Sequence, residues 1–209
     1  MKLAEKGILV ADNCIPPSLQ DAIEKYYFSE KYPWSGKTGK YQDKLEGKTF
    51  TTDLSSPKIE DGPLLNRFEF DIVIPILKKC LEKIDVEYFE SDVILVRTLM
   101  QIPKETNIRN NIHVDTDKKC YTVLYYVNDS DGDTIFLNKT TKDFSYEKYE
   151  KMRYEKDWYE NQKEIFTEVA FSQKPKKGMA VLFDGSIYHA SSTPTKNKRC
   201  VINFNYKWN

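Results

Sequence analysis

Tyr121-Thr122-Val123-Leu124-Tyr125-Tyr126-Val127-Asn128-Asp129-Ser130-Asp131-Gly132-Asp133-Thr134-Ile135-Phe136-Leu137 is the stretch that decides the fold class. Its two ends are rich in β-branched and aromatic residues, which fit a pleated, half-buried surface. Between them, Asn128–Asp133 is a cluster of turn formers. The pattern predicts two strands, Tyr121–Val127 and Thr134–Leu137, joined by that turn. Similar segments flank the pair. Val93–Leu99, Glu168–Phe171, Met179–Phe183 and Arg199–Tyr206 all read as strands, with Lys174-Pro175-Lys176-Lys177-Gly178 as a turn. Residues 139–164, rich in Lys, Glu and Tyr, interrupt the series. They are expected to be an insertion, partly helical around Tyr146–Gln162, with a solvated charged face.

Upstream the pattern differs. Ile8-Leu9-Val10 reads as a short strand. Pro16-Pro17-Ser18 opens a helix to about Phe28, with Ser18 as N-cap and Asp21 three residues on. Residues 31–62 read as a long loop in which Trp34 and Tyr41 serve as packing anchors. A second helix is predicted from Pro63 to near Ile84. Its apolar stripe is Leu65, Phe68, Ile72, Ile76 and Cys80, and Pro75 should kink or interrupt it. Helices first and short strands second predict an α+β chain, mainly β, with flanking helices on a sandwich or barrel. At 209 residues the expectation is one domain over 1–209, with helical support to about residue 90 and a β core beyond it.

Lys+Arg and Asp+Glu are both 32, so the formal net charge is zero. Nothing global favours nucleic acid or an anionic membrane as a partner. Met1–Gly7 lack a secretory apolar segment, and no apolar run reaches membrane-spanning length. Cys14, Cys80, Cys120 and Cys200 are scattered and read as reduced thiols. The expected location is cytoplasmic.

The chain has only two histidines. His113 opens His113-Val114-Asp115, where side chains two apart on an extended segment share one face and Val114 points away. His189 follows Asp184-Gly185-Ser186, a turn after a buried strand, and is expected at a strand end. Two imidazoles and a carboxylate can cover one face of an octahedral ion and leave three positions open, the pattern of non-haem Fe(II) sites. Arg199 carries a planar, permanently charged fork suited to a carboxylate. Cys200 should point to the opposite face, so Arg199, Val201 and Asn203 share one side of their strand.

With these residues in hand, the chain resembles the prolyl-hydroxylase-like branch of the 2-oxoglutarate/Fe(II)-dependent dioxygenases. The likeness runs through His113-Val114-Asp115, Tyr121–Asp129, Gly132–Phe136, Lys176–Asp184, His189-Ala190 and Arg199, and covers about residues 91–206. It implies a double-stranded β-helix, or jelly roll, with N-terminal helices. It implies Fe(II) held by His113, Asp115 and His189, with O2 and 2-oxoglutarate as cosubstrates and ascorbate as a reductant. Arg199 would hold the far carboxylate of 2-oxoglutarate. Tyr126 would assist it, in competition with Tyr125, and Asn203 is a further cosubstrate-side candidate.

Two departures stand out. Arg199-Cys200-Val201 replaces Arg-x-Ser, so a hydroxyl contact must come from elsewhere. Gly132-Asp133 replaces Gly-Gly-Glu, a change expected to affect the loop more than the chemistry. Asp115 argues against a halogenase, and the lack of a second downstream arginine argues against a nucleic-acid demethylase. The implied substrate is a peptidyl residue, such as proline, or an amino-acid-like small molecule. Two other readings stay open: a Zn- or Mn-dependent cupin-like hydrolase or isomerase, and a non-catalytic β-sandwich binding module.

Overall fold

Antiparallel strand pairing carries most of this structure, a computed structural model that describes residues 7–36, 49–55, 67–155 and 157–208. In chain order the elements are β1 (Ile8–Ala11), α1 (Pro17–Tyr27), β2 (Ser35–Gly36), β3 (Thr49–Ser55), α2 (Arg67–Glu82), β4 (Val93–Gln101), β5 (Cys120–Tyr126), β6 (Thr134–Thr140), α3 (Tyr146–Met152), α4 (Trp158–Ile165), β7 (Val169–Gln173), β8 (Ala180–Asp184), β9 (Ile187–Ser191) and β10 (Arg199–Lys207). A larger sheet has the strand order β1-β8-β5-β10-β4-β3-β2, and a smaller one has β7-β6-β9. The result is the expected jelly-roll core of α+β class with helices against it.

Strict alternation along the strands divides the interior into three apolar layers. Val123, Tyr125, Cys200, Ile202, Phe204 and Tyr206 pack with Ile23 and Tyr27 of α1 and Phe70, Val73 and Leu77 of α2. Leu124, Tyr126, Val181, Phe183 and Val201 face Phe136 and Ile187 of the smaller sheet. Leu137, Tyr188 and Ala190, on the far side of that sheet, pack with Phe144, Tyr149, Trp158 and Phe166. The order across the molecule is therefore helices α1 and α2, larger sheet, smaller sheet, helices α3 and α4. Side chains two apart in a strand lie on one face, so each strand feeds two layers.

Several expectations need correction. Pro16, not Ser18, occupies the N-cap of α1, and no side chain caps it. Pro17 sits at the first helical position, where its missing N–H costs nothing and its fixed φ suits the helix. The segment read as a loop over 31–62 contains β2 and β3; residues 37–48 and 56–62, with Tyr41, lie outside the described residues. β3 pairs along β4 from Thr49↔Gln101 to Ser55↔Val96, a partner no local pattern reveals. Trp34 is the packing anchor expected, its indole N–H donating to the Tyr27 carbonyl at 3.1 Å.

The described α2 runs through Pro75 without interruption, and its rotation differs from the expected stripe. Ile76 and Cys80 of that stripe are buried and Ile72 is partly so, but Phe68 is 69% exposed, while Phe70, Val73 and Leu77, outside the stripe, are buried. Apolar residues surround this helix from Ile72 to Leu77, so periodicity specifies a helix but leaves open which row meets the sheet. Residues 63–66 lie outside the described residues. Among the described residues no helix is long and apolar enough to cross a membrane. All four cysteines are free thiols and buried.

Candidate metal centre

β9 brings its histidine inward by alternation. Ile187 packs between the sheets, while Tyr188 and Ala190 pack on the outer side. His189 is therefore at the middle of a short strand, not at the strand end expected. His113 lies on the connection from β4 to β5 and joins His189 in an antiparallel bridge. The His113 N–H donates to the His189 carbonyl and the His189 N–H to the His113 carbonyl, both at 2.9 Å. Val114 is buried in the outer layer, so His113 and Asp115 share the inner side.

The 139–164 insertion supports this connection from behind. Gln162 of α4, only 2% exposed, accepts from the Ile112 N–H at 2.8 Å and donates to the Asn111 amide oxygen at 2.9 Å. Its exposed face is charged, as expected. Its buried face holds the histidine-bearing segment in place.

One ligand atom from each of His113, Asp115 and His189 lies within 4.8 Å of the other two. His113 Nε2 stands 3.7 Å from Asp115 Oδ1, and His189 Nε2 stands 3.9 Å from Asp115 Oδ2. The side chains of His189 and Asp115 are 8% and 10% exposed, and that of His113 is 38% exposed, so the centre opens on the His113 side. His113 Nδ1 is 3.0 Å from the Asn111 carbonyl and His189 Nδ1 is 3.1 Å from the Ile187 carbonyl. A carbonyl only accepts, so each Nδ1 carries the proton and each Nε2 lone pair is free for a metal.

Electrostatics favour the same state. Burial, reinforced by the neighbouring His113, pushes the His189 imidazole down to about 4, which keeps it neutral. Burial works against the Asp115 carboxylate. His189, His113 and the amide donors of Asn203 and Asn205 outweigh it and hold the group below its ordinary range. A neutral His189 imidazole beside an ionised Asp115 carboxylate is the protonation state that metal ligation requires of these two groups.

β10 contributes to the same inner side. Asn203 and Asn205 each donate from Nδ2 to Asp115 Oδ2 at 3.1 Å. The structure thus places Asn203 on the carboxylate ligand. Asn205 does the same, and the sequence reading missed it; the signal was its identical parity with Asn203. Among the described residues, the carbonyl oxygens of both amides are buried without a hydrogen-bond partner. Converging nitrogen and oxygen ligands beside unsatisfied buried acceptors fit a hydrated divalent ion of the Fe(II) or Zn(II) type.

Arg199 is 4% exposed at the other end of this face. Its Nε donates to the Gly132 carbonyl at 2.8 Å, Nη2 to Thr134 Oγ1 at 2.8 Å and Nη1 to Gln101 Oε1 at 3.3 Å. These partners are neutral oxygens, and burial lowers the guanidinium pKa. A buried cation held by neutral acceptors is suited to an anionic ligand. Tyr126, and not Tyr125, is on this side: its hydroxyl donates to Thr134 Oγ1 at 2.8 Å, and Arg199 stands 5.9 Å from its ring. Tyr125 belongs to the layer against α1 and α2. Val201 is apolar where a serine was sought, so the hydroxyls beside Arg199 are those of Thr134 and Tyr126.

Gly132 matters more than a loop substitution would. A Cβ there would meet the Ser192 carbonyl at 2.7 Å and the Arg199 Cδ at 3.1 Å. Gln101 and Thr134 were not singled out by sequence; Gln101 lies beyond the predicted end of its strand.

Solved structures share this architecture. A 2OG-Fe(II) oxygenase family oxidoreductase from Burkholderia pseudomallei superposes with a TM-score of 0.60 at 12% identity, over 99% of this chain and 87% of that one. A Trichoplax adhaerens prolyl hydroxylase, in complex with a hypoxia inducible factor peptide fragment, gives 0.58 at 14% identity, over 99% and 86%. The alpha-ketoglutarate-dependent carbocyclase SnoK from nogalamycin biosynthesis gives 0.64 at 13% identity, over 97% and 79%. At such identities the likeness is one of fold. No family model and no curated protein matches the chain.

Proposed function

We propose that this chain is an Fe(II)- and 2-oxoglutarate-dependent dioxygenase that hydroxylates a C–H bond of a peptidyl or amino-acid-like substrate. The observation that supports this reading most is a pairing on one inner surface. His113, Asp115 and His189 converge at one end, and the buried guanidinium of Arg199, held among the described residues by neutral oxygens only, stands at the other. A hydrolase has no evident use for such a carboxylate clamp.

In this reading His113, Asp115 and His189 hold the metal through two Nε2 atoms and a carboxylate oxygen. Bound iron with 2-oxoglutarate supplies the activation of dioxygen that oxidises a C–H bond. Arg199 binds the far carboxylate of the cosubstrate, and Thr134 and Gln101 orient the guanidinium. Tyr126 keeps its proton, since burial pushes its hydroxyl up to about 12, and it fixes Thr134. The rings of Phe183 and Phe136, 5.0 and 6.3 Å from that of His189, exclude water from the inner side. Substrate enters on the exposed His113 side. The peptide held by the Trichoplax adhaerens enzyme supports a peptidyl substrate, and the carbocyclase supports a small molecule.

The test is anaerobic. Fe(II) added to metal-free protein, followed by 2-oxoglutarate, should give a weak visible charge-transfer band that His189→Ala abolishes. Absence of the band together with tight zinc binding would favour the hydrolase. A peptide and amino-acid panel, read by 2-oxoglutarate-dependent oxygen uptake, then separates the two substrate classes.

A further inference from the structure

Asp115 has two carboxylate oxygens in unequal surroundings. Oδ2 accepts from Asn203 Nδ2 and from Asn205 Nδ2, both at 3.1 Å. Oδ1 receives neither amide and stands 3.7 Å from His113 Nε2, while Oδ2, with both amides, stands 3.9 Å from His189 Nε2. The amide orientations follow from chemistry: an ionised carboxylate only accepts, so each asparagine must present nitrogen to it. Asn205 is fixed further, because its second N–H donates to Thr122 Oγ1 at 3.0 Å.

The two asparagines are held by the sheet. Asn203 and Asn205 are on the inner face of β10, opposite Leu124 and Thr122 of β5, and are 7% and 0% exposed. Both leave a carbonyl oxygen buried and unpartnered, a cost a purely structural residue would not incur. An apolar pair would suit the neighbouring Val201 and Leu124 better. Asparagine twice, at consecutive inward positions, is explained by the carboxylate they share.

We infer that Asn203 and Asn205 are a positioning pair that occupies Asp115 Oδ2 and reserves Oδ1 as the sole carboxylate ligand of the metal. The inference rests on the metal-centre reading above. Two N–H donors compete with the metal for Oδ2 and restrain rotation of the carboxylate. The ion is then held through one oxygen, and a coordination position that a bidentate carboxylate would occupy stays open. Partners of this kind commonly contribute 10–100-fold to metal affinity.

Co(II) reports both affinity and coordination number through its visible d–d bands. Metal-free wild-type protein, Asn203→Ala, Asn205→Ala, the double variant and Thr122→Val are titrated with Co(II), and each is melted without metal. The expected result is a loss of Co(II) affinity of about 10–100-fold in the double variant, with changed d–d intensity. Metal-free melting should stay close to wild type. Thr122→Val, which removes the distal support of Asn205 but leaves both amide contacts to Asp115, should lose less affinity than Asn205→Ala. Wild-type protein that binds no Co(II) would overturn the metal-centre reading and this inference with it. Wild-type binding with unchanged affinity and bands in both asparagine variants would overturn the inference alone. An equal loss in Thr122→Val would also overturn it, since packing of Asn205 would then account for the effect.

Discussion

The two faces of β10 are equally buried and opposite in character. Cys200, Ile202, Phe204 and Tyr206 alternate onto one side and join a core with α1 and α2. Arg199, Val201, Asn203 and Asn205 alternate onto the other, where Arg199 and Asn205 are 4% and 0% exposed. The first face is organised by apolar contact and tolerates no void. The second places a cation and two amides where an apolar core would be cheaper, and leaves two carbonyl oxygens without partners. Buried polarity concentrated on one side of one strand marks a surface selected for what it binds. Loss of the outer face should affect stability, and loss of the inner face should affect ligands.

The largest effect should come from the outer face. Phe204→Ala empties a fully buried site and should cost about 3–5 kcal/mol in chemical denaturation, with Co(II) binding retained in the folded protein. A collapse of metal binding without loss of stability would break the comparison. On the inner face, Arg199→Ala should weaken 2-oxoglutarate binding by about 2–5 kcal/mol in a titration of the charge-transfer band. Its Fe(II) affinity should persist, because the metal ligands are untouched.

The faces should also differ in pH response. His189 has an ordinary value of 6.5 and is held at about 4 when folded. The unfolded chain therefore takes up this proton first. Stability of the metal-free protein should fall as pH drops from about 6.5 to about 4, by up to about 3 kcal/mol, and then level with respect to this group. The depressed Asp115 carboxylate acts in the same direction, since its stabilisation is lost as pH falls through its folded value. His189→Gln should flatten the slope of denaturation free energy against pH, whereas Phe204→Ala should shift the whole curve without changing that slope. The smallest expected change is Gly132→Ala, at about 1–3 kcal/mol of stability. The added Cβ, 2.7 Å from the Ser192 carbonyl, should displace the oxygen that receives Arg199 Nε and weaken 2-oxoglutarate binding as well.

Much of this contrast was legible before folding. Parity along Arg199–Tyr206 separates the two faces, because alternation is a property of extended backbone and needs no partner. The candidate trio of His113, Asp115 and His189 was legible for a compositional reason, as no other histidine competes. The rotation of α2 was not legible, since its apolar residues surround the helix and only the sheet selects Phe70 over Phe68. β3 was missed although Thr49-Phe50-Thr51-Thr52 is β-branched and aromatic, because the run is short and sits among Gly, Lys, Asp and Ser; pairing with β4 extends it into a strand.

Sequence by itself determined the candidate trio His113, Asp115 and His189 with Arg199, and the alternation that sorts Arg199 and Asn203 from Cys200. Both follow from side-chain type and from a two-residue repeat set by covalent geometry. Tertiary structure alone decided which of them meet. The backbone bridge joins His113 to His189, β10 brings both asparagines to one oxygen of Asp115, and the Gly132 carbonyl with Thr134 and Gln101 encloses Arg199. Gln162 reaches back from a helix in the insertion to hold the histidine segment. These contacts join residues far apart in the chain. They depend on strand register and layer packing, which no local window of sequence contains.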